Sequence, residues 1–277
     1  MIELKSYAKV NLTLNIGNKL ENGYHTLNSI MHLIDFYDDI TIERIPSDKI
    51  EVDVNMDIPL KQNLCYKAAK LMRSKFNLNE GVKITLNKKI PIGAGLGGGS
   101  SNAASVMVGM NKLFKLNLDK NQLIDVAKEI GSDVPFFIIG GGAHVSGTGE
   151  LVNPINDLPE LNIVLVYPEF EISTALAYDL WDKKGSCSIP IDVGNLNSVQ
   201  RIASNISNDM QEVIFSSYEG LQDIKEKLIQ YGALNASLSG SGPSIFGIFP
   251  DEQSANSAAE KMKEENVTVV VTKTILL

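Results

Sequence analysis

Between Val10 and Ile16 the chain reads VNLTLNI, with Val10, Leu12, Leu14 and Ile16 on one side and Asn11, Thr13 and Asn15 on the other. That period of two predicts a half-buried strand whose polar face is unusually rich in amides. After the Asn22-Gly23 turn signal, residues 27–36, 39–45 and 49–55 carry β-branched and aromatic residues between polar breaks, so the first region is expected to be mostly antiparallel sheet. Residues 62–76 change to a helical period with Leu64, Ala68, Leu71 and Met72 on one stripe, and VKITLN (82–87) returns to alternation. From Ser100 the run SSNAASVMVGMNKLF is helical again, its apolar face formed by Ala103, Val106, Met107 and Met110. The glycine-dense stretch PIGAGLGGGSSNAA (91–104) therefore joins a strand to a helix.

Asp119 with Gln122 forms a capping box for a helix predicted to end at Gly131, and SDVPFFIIGGGAHVSG begins directly after it. Pro154 and Pro159 flank NPINDLPE, the expected junction between a domain of residues 1–156 and one of residues 157–277. Beyond it the pattern predicts the strand IVLVYP, a helix over 173–182 and a polar, mobile loop over 183–198. Two or three helices to Gln230 follow, then strand, strand, helix, strand. The fold class is α+β, with antiparallel strands covered by helices.

Composition removes several alternatives. With 44% hydrophobic and 21% charged residues the chain is a folding one rather than a disordered one. A net charge of −8, with no cluster of Lys and Arg among aromatics, argues against a nucleic-acid groove. No apolar run approaches the roughly 18 residues of a membrane helix, and MIELKSYAKVNLTLNIG alternates where a signal peptide would have an apolar block. Cys65 lies in an apolar pattern and Cys187 in a polar loop, the arrangement of two free thiols in a reducing cytoplasm. A cytoplasmic protein without membrane or nucleic-acid partners is expected.

Gly93, Gly95 and Gly98 satisfy the spacing GxGxxG. A dinucleotide fold would need a second parallel strand carrying an acidic residue about 20 positions on, and that strand is missing. A Walker loop would need a lysine where Gly99 stands. What remains is either a flexible connector or an anion site of backbone N–H groups at the positive start of a helix opening with Ser100, Ser101 and Asn102. A second small-residue loop, SGSGPS (239–244), favours the latter, since two such loops begin to describe a nucleotide cleft.

PIGAGLGGGSSNAA resembles the phosphate loop of the galactokinase, homoserine kinase, mevalonate kinase and phosphomevalonate kinase (GHMP) superfamily, and SLSGSGPSIFGIF resembles its C-terminal glycine motif. Within it, Tyr7–Ile40 and Ile130–Phe137 (IGSDVPFF) are similar to the family of kinases that phosphorylate a cytidine diphosphate-linked methylerythritol. The resemblance spans nearly the whole chain. It implies a two-domain GHMP kinase fold: an N-terminal domain like domain 2 of ribosomal protein S5, a ferredoxin-like C-terminal domain and an active site between them. It also implies ATP as phosphoryl donor, magnesium with it, a small-molecule acceptor, and a monomer or weak homodimer.

The resemblance assigns Asp133 as the base that takes the hydroxyl proton and Lys9 as its electrostatic partner. On their own, Asp133 reads equally as the cap of a turn started by Pro135, and Lys9 as a solvated edge charge. Asn11 shares the strand face of Lys9 and is assigned to the substrate near its reacting end. The resemblance places Tyr24, stacked on cytosine, and His25, bonded to the base edge largely through its backbone; by themselves they read as a packing lid and a surface histidine. Tyr178, four residues after Thr174 on one helix face, is the expected second ring of the sandwich or else core packing. Gly240 and Gly242 let the second loop approach substrate closely. ATP is expected at Pro91, Gly93, Gly95, Leu96, Gly97, Gly98, Gly99, Ser100 and Ser101, with Asn63 and Lys88 near adenine. No acidic metal ligand stands out, which leaves magnesium to phosphates, water and Ser101.

Overall fold

The computed structural model describes residues 1–184, 196–265 and 267–276. They form two compact units, each drawing on three segments: unit 1 takes Met1–Ala8, Tyr37–Pro91 and Gly97–Ile139, and unit 2 takes Lys9–Phe36, Ile92–Leu96 and Gly140–Leu277. Two long strands, β1 (Ile2–Lys19) and β2 (His25–Ile45), therefore divide their residues between the units. The pattern split β2 into 27–36 and 39–45; the intervening residues stay extended because Asp38 finds hydrogen-bond donors in the interior.

In unit 1, Asp39–Ile45 of β2 pairs antiparallel with β4 (Gly81–Asn87), and β4 pairs parallel with β3 (Ile50–Val54), a parallel pair within the mostly antiparallel sheet that was expected. Four helices cover this sheet: α1 (Leu64–Lys75), α2 (Gly98–Leu113), α3 (Lys120–Ala127) and α4 (Val134–Ile139). Small residues on α1 and α2, Ala68, Ala69, Ala103 and Ala104, join Met72, Met107 and Met110 in one core with Ile40, Ile42, Ile84 and Leu86. The buried stripe of α1 is Cys65, Ala68, Ala69 and Met72, one step round from the predicted one, so Leu64 and Leu71 lie at its margin. Helix α3 has its capping box at Asp119 and Gln122 but stops at Ala127 rather than Gly131, because the amides of Glu129 and Ile130 turn to the tighter i−3 carbonyls.

In unit 2, β7 (Asn162–Tyr167), β9 (Asn235–Leu238), β10 (Ile245–Phe249) and β11 (Thr268–Lys273) form an antiparallel sheet in the order β11-β7-β10-β9. With α8 (Leu221–Gln230) before β9 and α9 (Glu252–Met262) before β11, this is the ferredoxin-like βαββαβ order the resemblance implied. Leu228 of α8 and Ala255, Ala259 and Met262 of α9 bury against Val164, Val166, Ile245 and Phe249. The remaining helices are α5 (Thr174–Lys184), α6 (Val199–Asn205) and α7 (Gln211–Ser217). The mobile loop expected over 183–198 falls mostly on 185–195, with Cys187, outside the described residues. Thr13 and Leu14 of β1 pair parallel with β8 (Ser207–Asn208), Ser29–His32 of β2 pair antiparallel with β5 (Gly142–Ser146), and β5 pairs with β6 (Leu151–Ile155). The first residues of the predicted junction NPINDLPE are thus strand; Pro154 sits on β6, paired on one side only, where a missing N–H breaks no ladder.

The amide face of β1 is where the pattern misleads most. Every residue from Lys9 to Ile16 is buried, on both faces. Asn11 Nδ2 donates to Ser29 Oγ at 2.8 Å, Ser29 Oγ donates to the Thr13 carbonyl at 2.6 Å, and Thr13 Oγ1 accepts the Ile30 N–H at 2.9 Å. Polar side chains that satisfy one another are buried at little cost, so alternation here marks a hydrogen-bonded interior and not a wet face.

His32, on β2, is fully buried; its Nδ1 donates to the Leu33 carbonyl at 3.0 Å while Nε2 has no partner among the described residues. Burial pulls its pKa from 6.5 down to about 4, opposed only in part by that hydrogen bond. The unfolded chain then binds the proton more readily, so the contribution is fully present above the unfolded value and is lost as pH falls towards the folded one. Stability is expected to drop by about 3 kcal/mol between those limits from this group alone. Urea melts of wild type and His32→Leu check it: the difference between the two proteins should change by that amount between pH 7.5 and pH 4, and a constant difference would refute it.

Candidate active site

The first glycine segment is conformationally specified by its own sequence. Gly93, Gly95 and Gly97 have φ of 62°, 76° and 68°, whereas Ala94 and Leu96 between them are not left-handed. Alternating handedness turns successive N–H groups to one side and makes an anion-binding nest. Gly97 then caps α2 without a side chain, so the opening N–H groups of Gly98, Gly99 and Ser100 stay available at the positive end of a 16-residue helix.

In unit 1 this helix start is braced from below by a buried polar chain. Asp38 Oδ1 accepts the N–H groups of Lys89 and Ile90 at 2.6 and 2.8 Å, and its Oδ2 accepts from Lys88 Nζ and Asn102 Nδ2, both at 2.8 Å. Asn102 Nδ2 also donates to Ser6 Oγ at 2.9 Å, which donates to Ser101 Oγ at 2.8 Å. Lys88 is thus an internal cation: a Cβ placed on Gly98 would lie 3.0 Å from its Nζ. Asn63 caps α1, accepting the Cys65 N–H at 2.8 Å, and the adjoining Leu64 lies 3.4 Å from a Cβ at Gly99. Asp133 is half-buried directly before α4, and its carboxylate makes no hydrogen bond to any described residue, so it is not the turn cap that the sequence left open.

In unit 2 the two glycine segments meet at Lys9. Its ammonium, 3% exposed as a residue, donates to the Gly95 carbonyl at 2.7 Å and to Asn11 Oδ1, while its own N–H donates to the Leu96 carbonyl at 3.0 Å. A Cβ on Gly240 would stand 3.0 Å from Lys9 Nζ and 3.4 Å from Asn11 Oδ1. Ser239 Oγ donates to the same Gly95 carbonyl at 3.0 Å, and the Ser244 N–H reaches Ala94 at 3.3 Å. Neither Lys9 nor Asn11 is the solvated residue of the simpler reading. Gly240 and Gly242 repeat the alternation, with φ of 57° and 78°. Asn208 holds that loop, donating 2.8 Å bonds to the carbonyls of Leu238 and Gly240.

Tyr24 is 61% exposed and so packs as no lid, while His25 behind it is buried. The imidazole stacks on the Tyr178 ring, with centroids 5.1 Å apart and planes 13° from parallel, and Nε2 meets Asp182 Oδ1 at 2.7 Å. Thr174, one turn before Tyr178 on α5, lies 3.2 Å from Ser241 Oγ. The buried residues of α5 are Ala177 and Trp181, Tyr178 packs partly buried against the same core, and Leu176 is exposed.

Sequence reasoning missed Asp38, Asn102, Ser6, Asn208 and Asp182, each of which acts through a partner far along the chain. It had no local signal for them beyond Asn102 in the glycine motif. Cys65 is no nucleophile: burial pushes its thiol up to about 12. Among the described residues no group of three or more His, Cys, Asp or Glu could hold a metal.

Gly95 and Gly99 separate folding from ligand approach. A Cβ on Gly95 would run into the Ser239 carbonyl and lie 3.0 Å from Gly242 N, on a left-handed backbone. Gly95→Ala should cost about 1–3 kcal/mol of backbone strain alone, with the clash added to it. Gly99, exposed and in a helix, has only Leu64 at 3.4 Å, so Gly99→Ala should keep its melting temperature. Calorimetry of both variants checks this; equal melting temperatures would refute it.

Residues 63–141 match the GHMP kinases N terminal domain and residues 191–268 the GHMP kinases C terminal domain. The chain is similar to the 4-diphosphocytidyl-2-C-methyl-D-erythritol kinases of Clostridium tetani, 41% identical over 99% of this chain and 100% of that protein, and of Caldicellulosiruptor saccharolyticus, 40% identical over 98% and 96%. A crystal structure of 4-(cytidine 5'-diphospho)-2C-methyl-D-erythritol kinase superposes with a TM-score of 0.85 at 29% identity, covering 99% of this chain and all of that one. With the two glycine segments, the ferredoxin-like sheet and near-complete coverage by these relatives, the chain belongs to the 4-diphosphocytidyl-2-C-methyl-D-erythritol kinase family of GHMP kinases.

Proposed function

We propose that the protein transfers the γ-phosphoryl group of ATP to the 2-hydroxyl of 4-diphosphocytidyl-2-C-methyl-D-erythritol, a step of the non-mevalonate isoprenoid route. The observation that carries the reading is the meeting of both glycine segments at the buried Lys9 ammonium. Such a fixed cation beside a phosphate loop without a lysine of its own supplies the charge that phosphoryl transfer needs.

In this reading Asp133 takes the proton of the 2-hydroxyl as its oxygen bonds to the γ-phosphorus and ADP leaves. Lys9 offsets charge on the transferred group, and Asn11 orients the acceptor. The N–H groups from Gly93 to Ser100 and the Ser101 hydroxyl hold the phosphates, with Pro91 and Leu96 shaping the loop. Magnesium bound with ATP would supply charge neutralisation at the transferred phosphates, and Ser101 is the side chain that would help to hold it. Asn63 and Lys88 meet adenine through main-chain groups, since their side chains serve the α1 cap and Asp38. Cytosine lies against Tyr24, His25 and Tyr178, and Thr174, Gly240 and Gly242 line the diphosphate and methylerythritol. Residues 1–156 form the ATP-binding and catalytic domain, which also lends Asn11, Tyr24 and His25 to the acceptor, and residues 157–277 form the substrate-binding domain, in a cytoplasmic monomer or weak homodimer.

An ADP-release assay with the cytidylyl compound, homoserine and mevalonate as acceptors tests this. Turnover with the first alone is expected. Turnover only with either of the others, or binding of ATP without turnover, would reject it.

A further inference from the structure

His25 does not stand alone. Its Nε2 and Asp182 Oδ1 are 2.7 Å apart, and the other carboxylate oxygen of Asp182 accepts from the Lys19 ammonium. These are contacts between β1, the start of β2 and α5, all within unit 2. Asp182 is held ionised, below the usual carboxylate range, first by the hydrogen bond from Lys19 and then by His25. An ionised carboxylate only accepts, so in a neutral imidazole the proton must sit on Nε2 and Nδ1 must carry the lone pair. Nδ1 has no hydrogen bond to any described residue.

We infer that Asp182 is a positioning residue that sets base specificity: by fixing the Nε2–H tautomer it makes His25 Nδ1 an acceptor, matched to the exocyclic amine of cytosine and mismatched to the carbonyl that uracil carries at the same position. The inference rests on the proposed function, which puts the base at His25. The Nδ1 lone pair lies in the imidazole plane, which is 13° from the Tyr178 ring, so a base that bonds to it in that plane also lies parallel to Tyr178. The amine of cytosine donates and the corresponding oxygen of uracil accepts.

Asp182→Asn inverts this logic with almost no change of shape. Lys19, a pure donor, claims the single carboxamide oxygen and turns the NH2 towards Nε2. Nε2 must then accept, the proton moves to Nδ1, and the site offers a donor to the base. The side chain of Asp182 is 29% exposed, so the variant should fold.

The test measures kcat and KM for the cytidine diphosphate-linked substrate and its uridine analogue, with wild type and Asp182→Asn, at a pH well above the ordinary imidazole value of about 6.5. Nitrogen-15 spectra of the three histidine rings, assigned with His25→Gln, accompany it. Wild type should show the Nε2–H tautomer at His25 and the variant the Nδ1–H tautomer. The preference for cytidine should fall at least about 10-fold, through KM and with little change in kcat. A variant that folds with the same tautomer or the same preference overturns the inference and leaves the proposed function standing. A wild type inactive on the cytidine compound overturns both.

Discussion

Replacing Asp133 by alanine is expected to lower turnover by about 10²–10⁴-fold, the usual worth of a positioned general base, while melting temperature and ATP binding stay close to wild type. The carboxylate is half-buried and makes no hydrogen bond to a described residue, so its removal strands no internal partner. Asp133→Asn should be as inactive as alanine, since an amide cannot take the proton. The companion change, Lys9→Ala, should also abolish turnover, but with a loss of stability, because the ammonium holds Gly95 and Asn11 together. Steady-state ADP release and calorimetry on all three variants make the distinction. Full activity in a folded Asp133→Ala protein would remove that residue from the mechanism.

The parts of the site that were legible in the sequence are those in which residue type dictates backbone. Glycine at 93, 95 and 97, alternating with Ala94 and Leu96, prescribes the sequence of φ signs that forms the nest, and Gly240 and Gly242 do the same in the second loop. Asp119 and Gln122, three apart, could be paired on paper, as could Thr174 and Tyr178 on one face of α5. What could not be read is whatever depends on partners distant along the chain. Asp182 is 157 residues from His25, and Asp38 is 50 from Lys88. The alternation of VNLTLNI specifies a strand, but its polar face needs Ser29, Ile30 and Asp209 to become an interior. Period alone says which residues share a face; only the donors and acceptors opposite decide whether water is there.

Asp38 makes the second large prediction, on stability. Its carboxylate is fully buried and accepts four hydrogen bonds, from two main-chain N–H groups, Lys88 and Asn102, while Lys88 is itself all but inaccessible. Removing one partner of a buried ion pair costs about 3–5 kcal/mol, because the remaining charge is left uncompensated. That is at least about a fifth of a typical domain's stability of about 5–15 kcal/mol. Asp38→Ala should therefore lose about 3–5 kcal/mol in urea unfolding. Lys88→Met should lose less, since Asp38 keeps three neutral donors that still solvate its charge, and a double variant should fall short of the sum because neither charge is then stranded. The consequence extends to ligand binding: Asp38 fastens Lys89 and Ile90, which lead into the glycine segment, and through Asn102, the fifth residue of α2, it fastens the N-terminal part of that helix. The rise in melting temperature on adding ATP should shrink in Asp38→Ala beyond what the lower starting stability accounts for, and an undiminished rise would show that the pair supports the fold without shaping the phosphate cradle.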